Sequence, residues 1–228
     1  MVVCDLRGKR QNYLPHLQRK RPDKLMRTRK KKWSAGELEN NPRILRGEPI
    51  ILRGEKPIHL EIGCGKGRFI IETSRRNPDI HHVAVERDET ILATAARRAQ
   101  ENNAESLVFV LADVSEGLSF VRPGEVSRLY INFCDPWARK KKWAKRRLTH
   151  DTFLKIYENL QIPEIFFKTD NRLLFEASLE SFNRRGWLLE NISLDLHASG
   201  MDDNIMTEYE EKFSAHGPIY RLEARFPA

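Results

Sequence analysis

From Pro57 onward, short apolar runs alternate with stretches whose apolar residues recur at helical spacing, and that alternation leaves few folds open. IHLEI (58–62), HHVAVE (81–86), LVFVLAD (107–113), RLYINFCD (128–135) and EIFFKTD (164–170) read as strands. Between them lie RFIIETSRR, ILATAARRAQ with Asp88 as its N-cap, DTFLKIYENL with Thr149 as its cap, and RLLFEASLESFNRR. WLLENISLDL (187–196) and IYRLEARF (219–226) are β-rich runs suited to closing strands, with an irregular insert between them. The pattern predicts an α/β fold, doubly wound and Rossmann-like, whose mostly parallel sheet carries helices on both faces. Residues 1–55 are rich in breakers (Pro15, Pro22, Gly36, Pro42, Gly47, Pro49, Gly54) and read as a basic extension, partly disordered and with little core of its own. The main domain is placed at 56–228.

Charge is distributed unevenly. Residues 1–32 hold twelve Lys/Arg against Asp5 and Asp23, and RKKKWAKRR (139–147) adds seven basic residues with no acid. Outside these two runs, 21 Lys/Arg face 30 Asp/Glu, so an acidic body of −9 sits inside a chain of net +8. Either run alone is commonly a solvated tail or loop. Two of them, with Trp33 just after the first and Trp143 inside the second, favour a polyanionic partner. No stretch approaches the ~18 consecutive apolar residues of a spanning helix, so no membrane partner is expected. No export signal is expected either, since the first residues lack an apolar run. Cys4, Cys64 and Cys134 have no metal-ligand spacing, which predicts no disulfide framework, no metal and a reduced, cytoplasmic setting.

Ligands of open α/β sheets bind beyond the carboxyl ends of the strands. A carboxylate stands at or beside the end of each of the five strands: Glu61, Glu86, Asp113, Asp135 and Asp170. One such acid commonly caps the next helix. Five in succession concentrate negative charge at a crevice, which is costly unless something cationic or rich in donors binds there. The first turn, E-I-G-C-G-K-G, has glycines at 63, 65 and 67 and lets the backbone approach a ligand closely. It is not the dinucleotide fingerprint, because Arg68 stands where the third glycine would fall. Glu86, 23 residues after Gly63, is placed to accept both ribose hydroxyls of a nucleoside, and Asp113 to accept from an adenine amino group. Gly63, Gly65 and this acid set suit S-adenosylmethionine, which has a cationic sulfonium and no pyrophosphate, better than NAD. Asp135-Pro136-Trp137 then sets a carboxylate, a rigid φ and a large aromatic at the crevice mouth. Cys134 has no activating His nearby in sequence and is expected to be inert.

With these residues the chain resembles the bacterial-type tRNA (guanine-N7-)-methyltransferase family, class I S-adenosylmethionine enzymes. The matching stretches are HLEIGCGKGRFI (59–70), NFCDPW (132–137), KRRLTHDTFL (145–154), FFKTDNRLLFEASLESF (166–182), SLDLH (193–197) and NIMTEYEEKFSAHGPIYRLE (204–223). The resemblance implies a class I methyltransferase domain acting on N7 of guanosine 46 in the tRNA variable loop. It implies that Glu61, Glu86 and Asp113 hold the cofactor and that Asp135 is the catalytic acid beside it. Asp170 and Thr207, Glu208, Tyr209 and Glu210 match substrate-binding positions. The loop departs from the family pattern: Ala138 replaces a proline, Trp143 a histidine, and one residue is added, with Arg139 at the place of a substrate-binding lysine. Lys140, Lys141, Lys142, Lys145, Arg146 and Arg147 are the expected RNA contacts.

Guanine N7 carries a free lone pair, so methyl transfer to it needs no prior proton removal. The expected roles of Asp135 and Asp170 are therefore orientation and charge compensation rather than general base. Two rivals stand beside this expectation: an exocyclic-amino methyltransferase, whose [D/N/S]-P-P-[aromatic] loop is one proline from DPW, and a non-catalytic tRNA-binding protein of the same fold. A monomer and a homodimer are both compatible with the sequence.

Overall fold

The apolar runs become strands because both of their faces are covered, as every residue of Ile58–Ile62 illustrates by being buried. A computed structural model describes residues 31–46, 56–137 and 141–227. Its elements run α1 (Lys32–Asn40), β1 (Ile44–Leu45), β2 (Ile58–Ile62), α2 (Arg68–Arg76), β3 (His81–Glu86), α3 (Glu89–Glu101), β4 (Leu107–Leu111) and β5 (Val126–Asn132). They continue with α4 (Asp151–Asn159), β6 (Glu164–Thr169), α5 (Arg172–Arg184), β7 (Leu188–Ser193), α6 (Glu208–Phe213) and β8 (Tyr220–Arg225). The sheet order is β1-β4-β3-β2-β5-β6-β8-β7, parallel except where β8 runs antiparallel between β6 and β7. The expected doubly wound, mostly parallel sheet is thus present. Strand order reverses between β2 and β5, which opens a crevice above their carboxyl ends.

Two apolar layers cover the sheet. One joins Leu60, Leu129, Ile131 and Phe167 to Phe153, Leu154 and Tyr157 of α4 and to Leu174, Phe175 and Phe182 of α5. The other joins Ala84, Phe109 and Tyr130 to Phe69 and Ile70 of α2 and to the alanine-rich face of α3. Ala93, Ala95, Ala96 and Ala99 are wholly buried, and their small side chains let α3 lie close to its neighbours. Asp88 caps α3, accepting from the backbone N–H of Thr90 and Ile91.

Three expectations require correction. Residues 32–45 are part of the folded body: Leu38 and Ile44 are buried in the second layer, and β1 pairs with β4. With only two residues, β1 is too short to show a period. Secondly, α4 is capped by His150, whose Nδ1 accepts from the Thr152 N–H at 3.1 Å, while Thr149 is turned inward. The Thr149 hydroxyl lies 2.6 Å from that of Ser178 and ties α4 to α5. Thirdly, the insert before the last strand contains α6, held by a capping box in which the Thr207 hydroxyl accepts from the Glu210 N–H and the Glu210 carboxylate accepts from the Thr207 N–H. The expectation of disorder at 1–30 falls outside the described residues.

Candidate active site

Strand β2 delivers Glu61 and then turns sharply through Gly63 and Gly65. Both glycines have left-handed backbone (φ +76° and +57°), and a Cβ at either would meet nothing within 4 Å, so the space before the turn is clear. Glu61 is 1% exposed. Its Oε1 accepts from Asn132 Nδ2 at 2.9 Å, while Oε2 is buried without a hydrogen-bond partner among the described residues. Burial pushes the Glu61 carboxyl up to about 7, against the Asn132 hydrogen bond and the nearby Lys168 charge.

At the end of β3, Glu86 gathers the backbone around the turn. Its Oε1 accepts from the Arg87 and Asp88 N–H groups at 2.8 and 3.0 Å, and Oε2 from the Gly65 N–H at 3.2 Å. Burial raises its pKa, and these three donors oppose the rise. Asp113, just beyond β4, accepts from the Ser115 N–H at 2.9 Å. Burial would raise its pKa, but the Ser115 hydrogen bonds, followed by the Arg87 and Arg146 charges, bring it below the usual carboxylate value. Glu86 and Asp113 line a cleft of about 500 Å³ together with Gly63, Arg87, Asn132, Phe133, Asp135, Trp137 and Arg146.

The loop after β5 forms the cleft mouth. Phe133 and Trp137 both have positive φ (+52° and +45°), an uncommon backbone for aromatic residues, and they bracket Asp135. The Asp135 side chain is 64% exposed, with Oδ2 3.9 Å from Arg87 Nη2. Arg146 lies over the Trp137 ring at 5.0 Å, and Arg147 Nε donates to the Pro136 carbonyl at 2.8 Å. Those two arginines clamp the loop. Burial and then the Asp135 charge push the Cys134 thiol up to about 12, as an inert cysteine requires.

A second layer of polar residues backs the cleft. Asp170, after β6, accepts from the Tyr209 hydroxyl at 2.9 Å, and the Tyr209 ring packs 5.1 Å from that of Phe133. Lys168, 5% exposed, donates to Glu210 Oε2 at 2.7 Å, the Ile205 carbonyl at 2.9 Å and Asn204 Oδ1 at 3.0 Å. Burial lowers the pKa of this ammonium, and the Glu210 charge opposes the fall. Ion pairs Arg98–Glu208 and Arg68–Glu211 fasten α6 to α3 and α2. Among the described residues, no cluster of three or more His, Cys, Asp or Glu is placed to hold a metal ion. No described helix is long and apolar enough to cross a membrane.

A family model described as "Putative methyltransferase" matches residues 55–222. The tRNA (guanine-N(7)-)-methyltransferase of Streptococcus mutans is 44% identical over 88% of this chain and 100% of its own length. The Bacillus subtilis protein of the same name is also 44% identical, over 88% of this chain and 99% of its own. The chain belongs to the tRNA (guanine-N(7)-)-methyltransferase family. Solved structures agree on the fold. The 16S rRNA methyltransferase KamB aligns with a TM-score of 0.56 at 15% identity, covering 75% of this chain and 89% of that one. A 16S rRNA (adenine(1408)-N(1))-methyltransferase solved with its cosubstrate SAM gives 0.55 at 14% identity, with coverages of 75% and 86%.

In this member of the tRNA (guanine-N(7)-)-methyltransferase family, Gly63, Glu86, Asp113, Asp135 and Arg146 meet at one cleft, with Glu61 buried behind it. Asp170, Thr207, Glu208 and Tyr209 stand beside the cleft rather than in its lining. Glu210 is corrected as a substrate contact. Both of its oxygens are engaged inside the fold, Oε2 by Lys168 and Thr207 and Oε1 by Asn204 and His197, whereas Glu61 keeps Oε2 without a partner among the described residues. Arg139, Lys140 and the side chains of Lys141 and Lys142 fall outside the described residues. Arg87, Asn132, Phe133 and Lys168 also belong to the site, although nothing in their own sequence positions marks them for it. A T-x-x-E capping box at 207–210 was the available signal for α6, and with it for Lys168 as the partner of Glu210.

Proposed function

We propose that the chain transfers the methyl group of S-adenosylmethionine to N7 of guanosine 46 in the variable loop of tRNA. The observation that supports this most is the convergence of Gly63, Glu86, Asp113 and Asp135 on one cleft, in a chain whose relatives are named tRNA (guanine-N(7)-)-methyltransferases. The residues fit the cofactor's chemistry. Its cationic and donor groups suit a pocket with several carboxylates, and Glu61 Oε2 is a buried acceptor with no partner among the described residues. Glu61 and the Gly63–Gly65 turn would hold the methionyl part, Glu86 the ribose hydroxyls and Asp113 the adenine amino group. When bound, S-adenosylmethionine supplies an electrophilic methyl group on a sulfonium.

The chain's own task is then alignment and charge compensation. Guanine N7 carries a free lone pair, so with the cofactor bound no residue of the chain would have to remove a proton before methyl transfer. Asp135, at the cleft mouth, accepts from the guanine N1–H and amino donors and offsets the positive charge that grows on the purine. Asp170, oriented by the Tyr209 hydroxyl, supports the same base from beside the cleft. Trp137 under Arg146, with Lys145 and Arg147 following, offers an aromatic edge and phosphate contacts to the RNA. The target base swings out of its stack to reach the cleft.

The test is incubation with an unmodified tRNA transcript and methyl-labelled cofactor, followed by nucleoside analysis and strand scission at 7-methylguanosine. Label in 7-methylguanosine at position 46 is expected. Label on an exocyclic amino group would assign the cleft to the other chemistry, and no label would leave only RNA binding.

A further inference from the structure

We propose that Phe213 is a stacking seat for an unpaired nucleobase of the RNA substrate, at the end of an aromatic column that starts in the wall of the cleft. This rests on the reading of the chain as an RNA methyltransferase and adds a contact to it. Phe133 lines the cleft, Tyr209 packs on Phe133 at 5.1 Å between ring centroids, and Phe213 stacks on Tyr209 at 4.3 Å with 27° between the ring planes. The His216 ring lies 6.0 Å from that of Phe213, tilted by 51° and not stacked on it.

The local sequence explains why this column is rigid. Tyr209 and Phe213 are four residues apart on α6, so they share one face. The Tyr209 hydroxyl is tied to Asp170, which prevents the ring beneath Phe213 from turning away. The helix is bound to α3 and α2 through Glu208–Arg98 and Glu211–Arg68, and to β6 through Glu210–Lys168. A six-residue helix fixed by three ion pairs therefore presents one ring, 41% exposed, to solvent.

Among the described residues, two other ring pairs lie within 30° of parallel, Phe167–Phe175 and Phe175–Tyr220, and both contain the buried Phe175. Tyr209–Phe213 has the shortest spacing of the three, and its outer residue is 41% exposed. A flat, immobilised ring left in water next to an RNA-binding cleft matches what an unstacked base requires, since every base has a π-face. The occupant most consistent with this position is a base neighbouring the methylated guanosine. Flipping of the target removes a stacking partner from that neighbour, and Phe213 stands about two ring spacings from the cleft wall to replace it.

Phe213→Ala, Phe213→Leu and Phe213→Trp test the seat in the full-length chain with unmodified tRNA. The Ala variant should raise the tRNA Kd and KM roughly 5- to 150-fold, the span of one base–aromatic stack, with kcat at saturating tRNA and cofactor affinity unchanged. Trp should restore wild-type binding and Leu should not. The loss should be the same factor at low and high salt, because stacking releases no counterions. Unchanged tRNA binding in the Ala variant, or restoration by Leu as complete as by Trp, overturns the proposal. Circular dichroism confirms that the variants fold. Methyl transfer by the unaltered chain is read separately, so failure of the functional reading is not confused with failure of the seat.

Discussion

Replacing Glu61 by glutamine should change the pH dependence of stability in a way no surface carboxylate could. The side chain is buried, Oε1 is satisfied by Asn132, Oε2 is not, and burial raises the carboxyl from 4.5 to about 7. At ~1.4 kcal/mol per unit, ionised Glu61 costs the folded chain about 3 kcal/mol relative to the neutral acid. The folded state thus holds a proton that the unfolded state releases near 4.5. This contribution is intact below about pH 4.5, declines as pH rises through 7, and is gone above about pH 8. Glutamine keeps the acceptor facing Asn132 and never ionises. Its extra buried donor adds a constant offset that cancels when variants are compared across pH.

His59 and His82, lowered by burial to about 3 and about 4, act in the opposite direction: their neutral forms are favoured by folding, so stability is lost as pH falls below about 6.5. Both proteins share that limb, so it drops out of the difference. Urea unfolding without cofactor, at pH 5 to 9, should show the glutamine variant gaining about 2–3 kcal/mol on the parent between the ends of the range. Cofactor should reverse the ranking, because a cation near Oε2 favours the ionised form. Calorimetry should give weaker binding in the variant, and proton release near neutrality only in the parent. Parallel stability curves for the two proteins would refute the reasoning.

Other substitutions separate the remaining roles. Asp135→Asn should lower single-turnover methylation ~10²–10³-fold while moving cofactor affinity much less; a fully active variant would shift the chemistry to Asp170. Glu86→Ala should weaken S-adenosylmethionine binding by ~1–3 kcal/mol on titration calorimetry, and an unchanged Kd would place the ribose elsewhere. Replacing Lys145, Arg146 and Arg147 by Ala should reduce the salt slope of tRNA binding by somewhat under ~1 for each phosphate left unneutralised, and an unchanged slope would remove these residues from the RNA contact. Lys168→Met should cost ~3–5 kcal/mol in urea unfolding by stranding Glu210 in the interior, and adding Glu210→Gln should recover a large part.

Legibility followed length and periodicity. The seven longer strands and the helices α2 to α5 carry enough residues for their period to show, and each strand-end acid could be read from its position after an apolar run. The elements before Pro57 could not be read in this way. β1 has two residues, and α1 buries only Ser34 and Leu38, so tertiary packing decides both. Thr149 and His150 are adjacent capping residues, and only the buried Ser178 hydroxyl determines which one turns inward. At the site, position in sequence identified Glu86 and Asp113, but not that Glu210 faces Lys168 rather than a ligand. That pairing spans 42 positions and joins two segments with no shared period.

The place of β8 has a consequence for how the protein is made. It follows β6 and β7 in the chain yet lies between them, so during synthesis β6 keeps an open edge and β7 has no sheet partner until Tyr220–Arg225 has left the ribosome. A nascent chain paused after β7 leaves the outer edge of β6 unpaired, a species prone to aggregation and suited to chaperone capture. The connection that carries α6 leads directly into β8. Docking of that strand gives β7 its partner and covers the edge of β6 at once, so the sheet closes only when Tyr220–Arg225 is in place.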